Sequence, residues 1–431
     1  SGTWVSAAVA ILCLLVPIEM VSQTWDDHDR SNRYTCRDFG QNYLMSLQEG
    51  SKPIIFTNGD NDTFPLWYNQ EVEGVGTNAR VCNLSYLQTD WYIDQMKRPA
   101  YDSPSVPISW PRLDYCSGTN EYVQVEPSLK QQVLNFYKEN PAAAKAQFGD
   151  NPFEVKNIMK YWVRSKNPNM HVIPTDTLYV TIDKNAVRKS GMLMPSDSIP
   201  NRMVISLTGK NALYKSDLMM LEIISQCDWI RPVYVALTVG QENYMNLGTN
   251  FDADRTYRNV MTRFKFGNLI HPGLYIDETT MRMCDTNRRL FGQLALHLIQ
   301  KGEKGKALKA LLYAEKQIPE YNVPIDYISG GLDFAQAFAL CGQKAKAKSY
   351  VSKVFRTASQ YVNYYLSLGN DTFLESQSDC MQQLMIMDQA AQIAGMIDKN
   401  LSKQMSQKVN AFYTYYHNRG GRMPQQESGG Q

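Results

Sequence analysis

The chain opens on one long apolar run before any other pattern begins. Trp4 to Val21 carries a single charge, Glu19. At about 1.5 Å per residue this run approaches the thickness of a bilayer core. It predicts a membrane helix, with a signal peptide or a buried core helix as alternatives. No Lys or Arg precedes the run, whereas a signal peptide usually starts with a basic segment.

Short apolar runs that alternate with helical periods follow. They predict strands at 53–57 and 79–84, and helices at 34–48, 64–73 and 90–97. The first strand ends in a Gly/Asx turn that leads into a helix, which is typical of a strand–helix–strand unit. Such units form parallel sheets, so the order predicts a Rossmann-like α/β domain.

The same alternation continues after an irregular stretch at 98–123 that is rich in Pro, Tyr and Ser. Helices are expected at 129–139, 153–166 and 216–226, and strands at 176–183, 202–208 and 231–238. We expect Ser216 to cap the third of these helices and Asp217 to occupy its first turn. The late strands are expected to close the domain as a second helix-linked pair.

From about residue 286 the pattern changes to long amphipathic helices with an internal repeat. Small residues and a final proline recur at the spacing of a tetratricopeptide helix pair. They are Gly302, Ala307, Ala314 and Pro319, with Gly342 and Ala347 in a second copy. A third, weaker pair is expected at 379–397 and 403–416. Small residues let two antiparallel helices approach closely, so this part is predicted to be an all-α, tetratricopeptide-like domain.

The predicted organisation therefore has four parts. They are a transmembrane helix at 1–22, an α/β domain with a parallel or mixed sheet at 23–285, a helical-repeat domain at 286–417, and a disordered tail at 418–431. The chain has 44 Lys and Arg against 42 Asp and Glu, a balance that argues against a nucleic-acid partner. A mean hydropathy of −0.40 argues against further membrane spans within this sequence.

Two acidic clusters are candidates for binding a divalent cation such as Mg²⁺ or Mn²⁺. The first follows the apolar run and comprises Asp26, Asp27, His28, Asp29 and Arg30. It could also orient a phosphate-bearing lipid head group, or it could be a solvated polar hinge over 24–33. The second comprises Asp60, Asn61 and Asp62 at the end of the first predicted strand, where open α/β sheets bind ligands. These side chains could equally cap the turn and the following helix.

Aromatic residues surround the same loops. They are Trp67, Tyr68, Trp91, Tyr92 and Trp110. Aromatic rings can stack on sugar faces, but the apolar flanks favour core packing. Asp90 and Trp91, at the start of a predicted helix, complete the set of candidate substrate or metal residues. The sequence contains no GxGxxG motif, no Walker loop, no zinc spacing of its eight cysteines and no readable catalytic triad.

Four stretches resemble a known family. WDDHDRS, FTNGDNDTFPLWY, NLSYLQTDWYIDQMK and WIRPVYVALTVG are similar to the soluble region that follows the transmembrane helices in a family of multi-pass Bacteroidetes membrane proteins. That family is similar to the eukaryotic transmembrane protein O-mannosyltransferases, which are GT-C-like glycosyltransferases. The resemblance extends from the apolar run to about Tyr416.

The resemblance implies a bacterial inner-membrane protein whose soluble domain faces the periplasm. It also implies that the catalytic loop and the site for a polyprenyl-phosphate sugar donor lie in a polytopic half that this sequence does not include. The isolated piece is therefore not expected to be catalytic. Arg30, Arg33 and Arg37 after the apolar run favour a cytoplasmic side by the positive-inside tendency, but we retain the family topology.

Three hypotheses follow. The chain is the accessory or acceptor-binding part of a membrane glycosyltransferase, with acceptor proteins held by the helical repeats. Alternatively, it is a non-catalytic periplasmic binding or scaffold module in which the acidic residues are structural. The third and weakest hypothesis is a free-standing, metal-dependent hydrolase.

Overall fold

The structure is a computed structural model that describes residues 2–237, 239–240 and 251–422. The side chains of Asp26 and Asp27 lie outside the described part. So does most of the tail predicted to be disordered, from residue 423 onward.

Helices make up most of the described chain. They are α1 Gly2–His28, α2 Thr35–Ser46, α3 Asp60–Glu71, α4 Asp90–Met96, α5 Lys130–Glu139, α6 Pro141–Phe148, α7 Val155–Ile158, α8 Lys184–Ser190, α9 Lys215–Gln226, α10 Ala253–Thr262, α11 Glu278–Gln300, α12 Lys304–Gln317, α13 Gly331–Leu340, α14 Lys344–Ser367, α15 Asn370–Glu375, α16 Gln377–Gly395 and α17 Lys399–Asn418. The strands are β1 Ile54–Thr57, β2 Arg80–Asn83, β3 Tyr122–Gln124, β4 Thr177–Thr181, β5 Arg202–Ser206, β6 Ala212–Tyr214 and β7 Val233–Val235.

The chain forms two compact units. One, the sheet unit, contains Phe39–Asp252 and Arg263–Lys265. The other, the helical unit, contains Ser1–Asp38, Ala253–Thr262 and Phe266–Gln431.

A three-stranded parallel sheet in the order β2-β1-β7 organises the sheet unit. Ile54 at the start of β1 pairs with Arg80 on one side and with Val233 on the other. Successive side chains on a strand point to opposite faces. Accordingly, Ile54 and Phe56 pack into one apolar cluster, which includes helix α9, while Ile55 packs into a second cluster with residues of α2 and α3. Helices therefore cover both faces, as a buried parallel sheet requires.

The prediction was a parallel or mixed sheet. β1, β2 and β7 pair in parallel, while the strands between them form separate two-stranded sheets. β4 and β5 pair with each other in antiparallel register, and so do β3 and β6. β4 and β5 each bury alternate residues. A strand with only one buried face is typical of an antiparallel ribbon, whereas β1 and β2 are buried along their whole length.

The start of α9 also differs from the expectation. Its N-cap is Tyr214, so Ser216 is the second helical residue and Asp217 the third. The Asp217 carboxylate accepts a hydrogen bond of 3.0 Å from the Tyr214 backbone N–H. An acid at this position thus satisfies an N–H that the helix itself cannot pair.

Helix α1 is long and apolar enough to cross a membrane, either as an anchor or as a signal sequence. The apolar part, Gly2–Trp25, has 24 residues, and none of it is buried. A core helix would bury one face at least, so the alternative of a buried core helix is wrong. Leucine, valine and isoleucine side chains that stay exposed along a whole helix are energetically suited to lipid.

The rest of the helical unit consists mainly of helices, and short turns join α11 to α12 and α13 to α14. The turn between α11 and α12 and the turn between α13 and α14 have the same geometry. Gly302 has φ 81° and Gly342 has φ 79°, a left-handed conformation that favours glycine. In both turns the residue after the glycine donates its N–H to the carbonyl five residues earlier, at 2.8 Å. Ala307 and Ala347, five positions after each glycine, are fully buried.

At Gly40, the backbone of α2 lies against the backbone of α3 in the sheet unit. A Cβ atom at this position would lie 2.3 Å from the Pro65 carbonyl oxygen of α3. We expect Gly40→Ala to lower the free energy of unfolding by about 1–3 kcal/mol, because backbone atoms would have to separate. Gly305→Ala in α12 is the control, since its Cβ would meet no atom within 4 Å. It should be neutral or stabilising by up to about 1 kcal/mol. Guanidinium denaturation followed by circular dichroism checks both, and equal effects would contradict the packing argument.

Asp285 of α11 gives the helical unit a pH-dependent stability. Burial, reinforced by Asp326, raises the pKa of its carboxyl to about 6 from 3.8. The unfolded chain therefore releases this proton at lower pH than the folded chain, and the group destabilises the fold as pH rises from about 4 to above 6. We expect Asp285→Asn to raise the melting temperature at pH 7.5 and to bring no gain at pH 4. The exposed Asp371→Asn should give no such pH-dependent difference, and a gain for Asp285→Asn at pH 4 equal to that at pH 7.5 would contradict the account.

Candidate functional site

The acidic cluster after the apolar run is partly helical. The predicted polar hinge over 24–33 is wrong for its first five residues, because α1 continues to His28. No Gly or Pro interrupts this stretch, so the helix extends beyond the apolar residues. His28 Nδ1 lies 3.0 Å from the Thr24 carbonyl oxygen, within the same helix. Asp29 accepts a hydrogen bond of 2.8 Å from the Ser31 N–H, and its contacts with Ser31 lower the pKa of the Asp29 carboxyl.

The second acidic cluster forms the first turn of a helix. α3 begins at Asp60, four residues before the predicted start, and its N-cap is Gly59. Positions i and i+2 of a helix do not face each other. Accordingly, Asp60 is exposed while Asp62 is buried. The two carboxylates do not converge on one solvent-accessible point, although Asp60, Asn61 and Asp62 do lie at the carboxyl end of β1, as predicted.

A hydroxyl–amide network, which the sequence analysis missed, holds this end of the sheet. Thr57 and Thr63 share a hydrogen bond of 2.7 Å between their hydroxyl groups. Asn83 donates its side-chain amide to Thr63 at 2.8 Å. Thr57 and Asn83 are the last residues of β1 and β2, so a polar residue at the end of each apolar run was the available signal.

No metal centre is assembled among the described side chains. Nowhere in them do three His, Cys, Asp or Glu residues come close enough together to hold an ion. Asp90 lies in an ion pair, with its carboxylate 3.3 Å from Arg112 Nη2. It also accepts a hydrogen bond of 3.4 Å from the Ser117 N–H. A second acid of α4, Asp94, pairs with the same arginine.

A cleft lined by aromatic side chains lies beside β2, the edge strand of the parallel sheet. We name it the aromatic cleft and define it by Trp67, Arg80, Tyr86, Trp91, Tyr92 and Tyr101. Its volume is about 470 Å³, within the range of small-ligand sites. Three of the five aromatic residues singled out by sequence meet here. Of the other two, Tyr68 is exposed outside the cleft lining and Trp110 is fully buried in the core.

The rings of the cleft form a continuous series. Trp67 and Tyr86 are nearly parallel, with ring centroids 6.0 Å apart. Tyr86 is 5.8 Å from Trp91, and Trp91 is 49% exposed. The predicted preference for core packing is therefore right for Tyr92, which is 2% exposed, and wrong for Trp91.

The Tyr92 hydroxyl forms hydrogen bonds with backbone groups at the edge of the sheet. It accepts a hydrogen bond of 3.0 Å from the Asn83 N–H and donates one of 3.2 Å to the Val81 carbonyl oxygen. Both backbone groups face away from β1, where a fourth strand would otherwise pair with them. Burial raises the pKa of the Tyr92 hydroxyl well above its usual range, so the hydroxyl stays protonated and can donate.

Arg80 brings a buried positive charge to the cleft. The residue is 6% exposed, and its Nη2 donates to the Gln95 carbonyl oxygen at 2.6 Å. Nη1 is buried, and the described part of the chain gives it no hydrogen-bond acceptor. Within the described residues no carboxylate lies within 4.0 Å of this guanidinium. Sequence reasoning missed Arg80, although a single arginine in an otherwise apolar strand was a readable signal.

Polar groups surround the mouth of the cleft. Glu71 and Gln95 are exposed lining residues, and a hydrogen bond with Glu71 raises the pKa of the Tyr101 hydroxyl. Tyr101 itself has φ 50°, an uncommon conformation for a bulky residue. The lining contains no His, Cys, Ser or Thr. The groups it does offer are aromatic rings, the Glu71 carboxylate, the Gln95 amide and the Tyr101 hydroxyl.

Removing the Tyr92 hydroxyl tests its structural role. We expect Tyr92→Phe to lower the free energy of unfolding by about 1–3 kcal/mol, because two buried backbone groups lose their partner. Tyr86→Phe is the matched control, since within the described residues the Tyr86 hydroxyl makes no hydrogen bond. Chemical denaturation measures both variants. A Tyr92→Phe protein as stable as the control variant would contradict this assignment.

Comparison with known proteins identifies one related family. A family model described as TMEM260-associated domain 2 matches residues 36–263, more than half of the chain. No curated protein and no solved structure matches. The matched region contains β1, β2 and β7 of the parallel sheet and the whole aromatic cleft. The chain belongs to the TMEM260-associated domain 2 family, which relates it to glycosyltransferase-like membrane proteins.

Proposed function

We propose that this chain is the extracytoplasmic C-terminal part of a GT-C-like membrane glycosyltransferase similar to the eukaryotic O-mannosyltransferases. In this role it serves as an accessory or acceptor-binding domain. Sugar transfer from a polyprenyl-phosphate donor takes place in a membrane-embedded half that these residues do not include. The family match over 36–263 is the observation that carries the proposal.

Two structural features support this role. Helix α1 carries 24 residues suited to lipid at one end of the sequence, so the folded units would be held at a membrane surface. The aromatic cleft offers stacking surfaces and polar groups, which suits recognition of an acceptor. On the family topology, the folded units face the periplasm of a Bacteroidetes inner membrane.

The proposal also includes the fold: a small Rossmann-like core followed by tetratricopeptide-like helix pairs. Helices on both faces of β2-β1-β7 are consistent with a small Rossmann-like core. The equivalent glycines at 302 and 342 and the buried alanines five positions later are consistent with tetratricopeptide-like pairs. Such pairs present extended surfaces that bind proteins.

A scaffold module without a part in transfer is the second candidate. The observation that favours it is the exposure of Tyr361 and Tyr364 on α14, at 50% and 57%. Exposed tyrosines on a repeat helix are typical of protein-binding surfaces. In this reading Asp27 and Asp60 are structural, and no divalent cation binds near them.

Glycoprotein staining of periplasmic proteins, in cells with and without the full-length gene, tests the proposal. We expect at least one glycoprotein band to disappear without the gene and to return with it. In the full-length protein, Asp27→Ala and Asp60→Ala should reduce transfer at least ten-fold, while Asp371→Ala should not. Correct folding of each variant is checked by circular dichroism.

Each outcome decides between the readings. Unchanged staining in cells without the gene would refute a glycosyltransferase role. Gene-dependent staining with full activity of both aspartate variants would leave the scaffold module as the explanation. Turnover of a small compound by the isolated chain would favour the metal-dependent hydrolase.

A further inference from the structure

We propose that the aromatic cleft binds a saccharide unit that carries an acid group, either a carboxylate or a phosphate. The inference rests on the proposed function only for the biological source of the sugar. Binding is measured without any transfer reaction, so the two proposals can fail separately.

The exposed ring of Trp91 supplies the stacking surface. Sugar rings have apolar C–H faces that pack on flat aromatic rings, and tryptophan offers the largest such ring among the side chains. Trp91 is 49% exposed and is supported from behind by Tyr92, whose ring lies 5.6 Å away in an edge-on arrangement. Tyr86, also in contact with Trp91, holds the ring from the side. The platform is therefore fixed before any ligand arrives, which lowers the entropic cost of binding.

The rim of the cleft suits hydroxyl groups. Gln95 can both donate and accept hydrogen bonds, and Glu71 and the Tyr101 hydroxyl form a polar pair across the opening. Sugars present neighbouring hydroxyls that need donors and acceptors in alternation. A purely apolar ligand would leave these groups without partners, at a cost in free energy.

Arg80 selects for negative charge. A buried charge without a counter-ion is costly, and a ligand that brings the opposite charge reduces that cost. Arg80 is 6% exposed and lines the cleft, and its Nη1 has no acceptor among the residues that the structure describes. Glu71 is exposed and hydrogen-bonded to Tyr101, so water screens its charge more than it screens that of Arg80. The buried cation in the same cleft as the aromatic platform thus distinguishes an acidic sugar from a neutral one.

Isothermal titration calorimetry on the full chain tests this inference. The protein is held in a detergent without a sugar head group, and the probes are glucuronate, glucose 6-phosphate, glucose and inorganic phosphate. We expect at least one of the two acidic sugars to bind at least ten-fold more tightly than glucose and than phosphate. Whichever of them binds more tightly identifies the acid group as carboxylate or phosphate.

Variants assign the binding to the cleft. Trp91→Ala should weaken the acidic sugar at least ten-fold, and Arg80→Met should reduce its affinity to that of glucose. Arg80→Lys keeps the charge and should retain part of the preference. Tyr68→Ala is the matched control, because Tyr68 is an exposed aromatic residue of α3 outside the cleft lining. It should bind like the unaltered protein.

Several results would overturn the inference. One is an absence of binding by both acidic sugars at concentrations up to about 10 mM, which corresponds to a very weak affinity. The others are equal binding of glucose, equal binding of inorganic phosphate, and unchanged binding of the acidic sugar by Trp91→Ala. Equal binding of phosphate would identify a simple anion site, and equal binding of glucose would identify a neutral sugar site. Because Trp91 is half exposed, its variant is expected to fold even if an Arg80 variant does not.

Discussion

The sheet unit depends on one constraint: the outer backbone groups of the edge strand β2 must find hydrogen-bond partners. Among the residues that the structure describes, β2 has β1 on one side and no strand on the other, so its outer backbone groups need partners. Short sheets cannot leave such groups in an apolar environment without a large loss of stability. Helix α4 resolves this by placing the Tyr92 hydroxyl against Val81 and Asn83.

The cleft follows from that solution. A helix that approaches a strand through one tyrosine ring leaves more space beside it than a fourth strand would leave. Trp91 is adjacent in sequence to Tyr92 and must point elsewhere on the helix, which brings it to the surface. Arg80 then donates to a carbonyl of the same helix, Gln95, and so helps to hold α4 against the strand. The packing of α4 against β2 thus places the exposed Trp91 ring and the buried Arg80 charge beside the same cleft.

Sequence patterns predicted the elements better than their pairing. The strands at 53–57, 79–84 and 231–238 and the helix at 90–97 were located correctly, because buried runs and turn residues are local signals. The antiparallel pairing of β4 with β5 was missed, since pairing depends on partners distant in sequence. Likewise, Trp91 and Tyr92 are adjacent and equally apolar in character, yet only the tertiary structure decides which one is exposed.

For the candidate site, too, sequence patterns located residues but did not predict how their side chains are arranged. Sequence placed Asp60 and Asp62 correctly at the carboxyl end of β1, but the helical start at Asp60 separates their side chains. Sequence also identified Trp67, Trp91 and Tyr92 and favoured burial for them, although it placed Trp91 among the candidate substrate or metal residues as well. Arg80 went unnoticed although a lone arginine in an apolar run was a signal, and only the tertiary structure shows that no described carboxylate pairs with it.

The central claim is that the half-exposed ring beside the sheet edge contacts a sugar face. Saturation-transfer difference NMR on the full chain with excess glucuronate or glucose 6-phosphate measures that contact directly. The account predicts transfer from aromatic protons to the ring protons of the acidic sugar, and its loss in Trp91→Ala. Transfer of equal strength in that variant, or none in the unaltered protein, would contradict the account.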